Sequence, residues 1–216
     1  MGFADIAKYW ALKQDELVPW NGPGHWNDPD MIEIGNDGQW GAKGNLTVAE
    51  RRSHMALWCG PPVHPCAPLV AHGCCFRCVF AAPLILGGDV RTMTDGDIEI
   101  VSNPHLLRIN QDPAGTQGKC IRGCSEEHLL ASALDPPVQL WTKPLSDGSV
   151  AAILFNPANG TQDSRFAPAE VGLKCATAAV QSVWAPGNAT KPLGAVRATV
   201  GAHDTDGFIL ACGVWG

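Results

Sequence analysis

The chain has 216 residues, 45% hydrophobic and 17% charged, with 15 Lys and Arg against 21 Asp and Glu for a net charge of −6. No stretch approaches the ~18 uninterrupted apolar residues of a membrane span, and no basic run offers a footprint for nucleic acid. The 24 Gly and 17 Pro suit loops and β-structure better than a helical bundle. The length falls short of a complete (β/α)8 barrel, which alone takes about 250 residues, plus a further domain.

In chain order, Phe3, Ile6, Ala7, Trp10 and Ala11 recur at helical spacing, and Asn21-Gly22-Pro23-Gly24 ends that helix. Thr47-Val48-Ala49-Glu50 has the form of a capping box and opens a helix through Met55, Leu57 and Trp58. Ala81–Leu86 is a continuous apolar run stopped by Gly87-Gly88, the pattern of a parallel strand buried on both faces. Thr94-Asp95-Gly96-Asp97 starts another helix, and Asn103-Pro104 a further one, with Asn as cap and Pro in the first turn. Helix, strand and helix in this order are α/β organisation.

After Gly118 the pattern changes, which divides the chain into 1–118 and 119–216. Val138–Leu145 and Val150–Phe155 are β-rich runs joined across Ser146-Asp147-Gly148, a hairpin signal because Asp-Gly tolerates the positive φ of a tight turn. Further short strands are expected at His128–Leu134, Gln181–Trp184, Ala195–Val200 and Gly207–Ala211. Short strands separated by Gly, Pro and Asn turns read as an antiparallel sandwich.

Two features bear on compartment. The N-terminus has no basic and apolar leader pattern, so it carries no secretion signal. Yet there are three glycosylation sequons, at Asn45, Asn159 and Asn188, where chance gives about one. Nine Cys is also high for a cytosolic chain, and the odd count leaves one without an intramolecular partner. Together these suggest a secreted or vacuolar/lysosomal protein whose N-terminal part is missing.

Gly60–Cys78 fits neither period and holds four of the nine Cys. Cys75-x-x-Cys78 could supply one pair of zinc ligands, with Cys66, Cys74, His64 and His72 as the rest. A disulfide-stapled loop is the second reading. The third is that these residues are no part of the evolved fold.

Gly22 to Asn36, GPGHWNDPDMIEIGN, closely resembles a signature of glycoside hydrolase family 27, the α-galactosidases and α-N-acetylgalactosaminidases. Met55-Ala-Leu-Trp58, Ala81-Ala-Pro-Leu84, Asp89-Val-Arg91, Ile109–Pro113 and Gln139–Leu145 resemble that family's landmarks in order. The resemblance implies the C-terminal part of a (β/α)8 barrel, residues 1–118, followed by an antiparallel β-sandwich domain, residues 119–216. Deleting Gly60–Cys78 restores the family's uninterrupted run as Leu57-Trp58-Cys59-Val79-Phe80-Ala81, which suggests a retained intron or gene-model error.

The same resemblance implies a retaining glycosidase with two carboxylates about 5–5.5 Å apart, one nucleophile and one acid/base, working without metal or organic cofactor. In the family both precede the Trp-Asn-Asp-Pro-Asp motif, so this chain starts too late to hold the nucleophile. Phe3-Ala-Asp5-Ile looks like the stretch around some members' acid/base. The short distance from Trp10 to Gly22, however, puts Asp5 on the preceding helix, and no catalytic residue is assigned. Asp30 and Met31 are, by resemblance, the pair that reaches the sugar pocket. Trp26 is a third substrate-binding candidate, shaping the loop together with Asp28. From residue chemistry alone, Asp28-Pro29-Asp30 could equally be an Asx-type turn. Trp58, Trp141, Trp184 and Trp215 are assigned to cores.

The substrate implied is an α-galactoside on an oligosaccharide, glycolipid or glycoprotein glycan, with a homodimer compatible with the full-length family. The alternatives are an α-N-acetylgalactosaminidase, a non-catalytic β-sandwich binding module, and a Cys/His metal-binding protein centred on residues 60–78.

Overall fold

The structure, a computed structural model, describes residues 3–36, 46–58, 84–130, 136–185 and 193–213. The first part is helical. Helix α1 (Phe3–Leu17) runs into a short 3-10 turn at Val18–Trp20, and Ala7, Trp10 and Ala11 face the interior at the spacing the sequence gives them. Helix α2 (Val48–Trp58) begins with the expected box: Glu50 N donates to Thr47 Oγ1 at 3.2 Å, and Thr47 N donates to Glu50 Oε2 at 2.8 Å. Helix α3 (Asp95–Val101) repeats the device through Thr94 and Asp97. In α4 (Pro104–Asn110), Asn103 Oδ1 accepts from the amides of His105 and Leu106.

The second part is β-structure. Strand β1 (Lys119–Arg122) is followed by helix α5 (Glu126–Leu130), and then by β2 (Gln139–Pro144), β3 (Val150–Phe155), β4 (Gln162–Phe166), β5 (Ala178–Ser182), β6 (Val196–Val200) and β7 (Thr205–Cys212). Five strands form an antiparallel sheet in the order β1-β2-β3-β7-β5, and β4 pairs with β6 in a second sheet. The β2–β3 hairpin closes at Asp147-Gly148, where Gly148 adopts φ 81° and its amide donates to Leu145 O.

The larger sheet is buried on both sides. All six residues of β3 are buried, which is why Val-Ala-Ala-Ile-Leu-Phe is continuously apolar instead of alternating. Val150, Ala152 and Leu154 face the small sheet, packing with Phe166, Val196, Phe208 and Leu210. Ala151, Ile153 and Phe155 face the other way, joining Trp141 and Ile209 in one core with Leu57, Trp58, Leu106 and Ile109 of the helices.

Polar contacts follow the same seam. Arg52 reaches Thr205 O at 3.1 Å, Ser53 donates to His203 O at 2.7 Å, and Asn103 donates to Val183 O at 3.0 Å. Lys143, fully buried, donates to Ile109 O at 2.8 Å, at the C-terminal turn of α4. Burial pushes its ammonium pKa well below the ordinary value, opposed in part by the charge of Asp112.

Two expectations change. His128–Leu134 is not a strand over its described residues, because Glu126–Leu130 is helical. Ser125 caps that helix, with Oγ 3.3 Å from His128 N, and two glutamates occupy its first turn, where the helix dipole favours them. Residues 131–135 lie outside the described residues. Of Ala81–Leu86, only 84–86 are described, and they make a single parallel bridge, Ile32 to Leu86, with Ile85 47% exposed. A parallel strand is buried only when neighbours cover both faces, and among the described residues Ile85 has no such cover. Gly60–Cys78, with its zinc, disulfide and non-evolved readings, lies outside the described residues.

Candidate functional site

The segment Trp26–Ile32 leaves the 3-10 turn held by its asparagines. Asn27 N donates to Asn21 Oδ1, while Asn27 Nδ2 donates to Leu17 O at 2.7 Å and to Gln117 Oε1 at 3.0 Å. Trp26 is half-buried, and its ring tip covers Gly115. A Cβ there would stand 3.2 Å from Trp26 Cη2 and 3.0 Å from Pro23, and Gly115 has φ 67°. Glycine is therefore required at 115 for this loop to lie as it does.

Asp28 and Asp30 form the turn that residue chemistry anticipates. Asp28 Oδ1 accepts from Asp30 N at 2.9 Å, and Asp30 Oδ1 accepts from Met31 N at 2.7 Å. Asp30 sits at φ 81°, in the left-handed region that Asp tolerates better than most residues. Each carboxylate thus lends one oxygen to the loop. Both side chains are exposed, and both border a cleft of about 440 Å³ that Tyr9, Trp10 and Asn27 also line.

Met31 is 43% exposed and leans on Gly87, where a Cβ would come within 3.3 Å of Met31 Cβ and of Ile32 O. Met31 therefore presents an apolar side next to the carboxylates. Asp5 falls within α1, and its side chain lies outside the described residues. Among the described residues, no group of three His, Cys, Asp or Glu could hold a metal ion, and no helix is long and apolar enough to cross a membrane.

Support for the turn comes from α2. Trp58, fully buried, donates its indole N–H to Asp30 O at 3.0 Å. His54, one helical turn earlier, stands edge-on to Trp58 with ring centroids 4.3 Å apart. Burial lowers the His54 pKa to about 3, against a weaker opposing backbone hydrogen bond with Met31. The sequence reading assigned Trp58 to the core without its bond to Asp30, and it missed His54 altogether. The only signal was their i, i+4 spacing. Trp141 is buried, Trp184 is half-buried under the Arg52 guanidinium at 4.7 Å, and Trp215 lies outside the described residues.

Taken together, these residues can accept hydrogen bonds from the hydroxyls of a polar ligand and offer apolar contact beside them. Comparison with known proteins identifies the family. Residues 2–112 match the family model described as alpha galactosidase A, and residues 135–210 match the alpha galactosidase C-terminal beta sandwich domain. The chain is 29% identical over 190 residues to the alpha-galactosidase of Cyamopsis tetragonoloba, covering 88% of this chain and 37% of that one. It is 38% identical over 148 residues to the alpha-N-acetylgalactosaminidase of Rattus norvegicus, covering 68% and 27%. The solved alpha-galactosidase of Saccharomyces cerevisiae with raffinose shares the fold at TM-score 0.66 and 18% identity, over 95% of this chain and 50% of that one. The chain thus spans well under half the length of the curated relatives it matches.

Proposed function

Because the chain belongs to the alpha galactosidase A family, with the end of its (β/α)8 barrel followed by its β-sandwich, we propose that it is the C-terminal portion of an α-galactosidase. Residues 1–118 supply barrel and 119–216 the sandwich. The parent enzyme releases terminal α-linked galactose with retention, using a nucleophile and an acid/base outside the residues assigned here.

In this reading Asp30 accepts hydrogen bonds from sugar hydroxyls with the carboxylate oxygen not tied to Met31 N. Met31, next to it in the chain, packs against the apolar face of the ring, and Trp26 fixes the loop that brings Asp30 to the cleft. The observation that carries the proposal is the Asp28–Met31 turn beside the 440 Å³ cleft, at the end of the segment bridged in parallel to Leu86. Active sites of such barrels collect at the C-terminal ends of their strands. A secreted or vacuolar/lysosomal location goes with this activity and with the sequons.

A second reading, α-N-acetylgalactosaminidase, is favoured by the higher identity to the rat relative, 38% against 29%. One assay tests the first reading. The 216-residue chain alone is expected to hydrolyse neither p-nitrophenyl α-galactoside nor its N-acetylgalactosaminide. Fused behind the missing N-terminal part of the Cyamopsis enzyme, it is expected to hydrolyse the galactoside. In that fusion, Asp30→Asn should lower kcat/KM roughly ten- to a hundredfold, the worth of a hydrogen bond to a charged group. Hydrolysis by the chain alone, or unchanged kcat/KM in Asp30→Asn, would overturn the reading.

A further inference from the structure

We infer that Asn159 carries an N-linked glycan rooted at the seam between the helices and the sandwich. The inference rests on the secretory reading above. Asn159-Gly160-Thr161 is a sequon, and both Asn159 and Thr161 are exposed on the β3–β4 connection.

The local geometry suits a carbohydrate. N-glycosylation joins the sugar to the amide nitrogen, so the amide oxygen remains to fix the direction in which the sugar leaves. Here Asn159 Oδ1 lies 2.8 Å from His203 Nε2. With that imidazole nitrogen donating to the oxygen, Nδ2 is turned away from the protein and is the atom left for the sugar.

The anchor is itself held. His203 adopts φ 58°, its carbonyl accepts from Ser53 Oγ at 2.7 Å, and its Nδ1 is 3.9 Å from Glu50 Oε1 of α2. The loop beneath the sequon is fixed as well. Asn156, fully buried, donates Nδ2 to Gly160 O at 2.7 Å, to Val200 O at 3.0 Å and to Gly201 O at 2.9 Å, and its Oδ1 accepts from Ala158 N at 3.0 Å. A sugar on Nδ2 breaks none of these bonds.

The transferase reads the nascent chain, so attachment does not depend on folding, and the test separates the two. The full chain behind a cleavable leader is translated with microsomes, and protease protection reports translocation independently of any enzymatic activity. In the Asn45→Gln/Asn188→Gln background, the translocated chain should shift by one glycan. Endoglycosidase H should remove the shift, and Thr161→Ala should abolish it.

The folded-state arm compares the purified glycosylated chain with its Thr161→Ala counterpart, which lacks the sugar but keeps the Asn159–His203 bond. Their Tm values should agree within about 2 °C. A translocated but unshifted chain overturns the assignment. A glycosylated chain melting more than about 4 °C below the counterpart, the effect of roughly 1 kcal/mol at this size, overturns the outward placement of Nδ2.

Discussion

Replacing Trp58 by alanine should cost about 3–5 kcal/mol in urea unfolding, a large part of the ~5–15 kcal/mol that keeps an ordinary domain folded. The ring is wholly buried in the core shared with Leu57, Trp141 and Ile153, so its removal leaves a cavity that the sheet cannot close. A second loss is local: Asp30 O gives up its indole donor, and the left-handed turn gives up one of its ties to α2. Trp58→Phe weights the second loss, because it keeps a buried aromatic ring while removing the N–H with part of the indole. It should cost about 1–3 kcal/mol, the range for a buried acceptor left without its donor. If the alanine variant loses under 1 kcal/mol, the packing account of Trp58 is wrong.

Acid should weaken the protein through His54, and His54→Gln should remove that weakness. Burial lowers the folded-state pKa from 6.5 to about 3. Between those values the unfolded chain takes up a proton that the folded chain refuses, so the unfolded state binds more protons and stability rises with pH. The contribution is complete above pH 6.5 and is lost as pH falls toward 3. Each pH unit within the window is worth up to about 1.4 kcal/mol, and acidification from 6.5 to 4 about 3 kcal/mol.

Asp204 and Asp206 act in the opposite sense. Burial raises the pKa of both, so they bind protons more readily when folded, and their contribution grows as pH falls. The whole-chain pH curve is therefore a sum. The difference between wild type and His54→Gln, measured by urea unfolding at pH 4 to 7, isolates the imidazole. Parallel curves for the two would dismiss the argument.

Legibility in the sequence followed the range of the interaction. Thr47 and Glu50 are three residues apart, and the box between them forms as read. Asp147-Gly148 announces its hairpin for the same reason. Gln162–Phe166, by contrast, is a strand that no apolar pattern reveals, because one face of its two-stranded sheet meets solvent and only Phe166 is buried. Lys119–Arg122 is too short to show a period. At His128 the expected strand gives way to helix, decided by the Ser125 cap and the two glutamates of the first turn.

At the site, the motif identified Asp30 and Met31 as candidates, and the Asp28 turn could be read from adjacent residues. The donor that holds Asp30 comes from Trp58, 28 positions away. No local pattern encodes such a bond; only the packing of α2 against the loop creates it.

The strand order has a consequence for biosynthesis. Thr205–Cys212, near the end of the sequence, lies between β3 and β5 in the middle of the larger sheet. A ribosome adding about 5–20 residues per second delivers β3 several seconds before the strand that must pair with it. Through that interval one edge of Val150–Phe155 is open and its apolar residues have no neighbour on that side. The helices of the first part also wait for Ile209 before their shared core is closed. The order in which this chain is made therefore runs against the order in which it can be assembled. A nascent chain stalled before Thr205 should call for a chaperone, and release of the last strand should end that need.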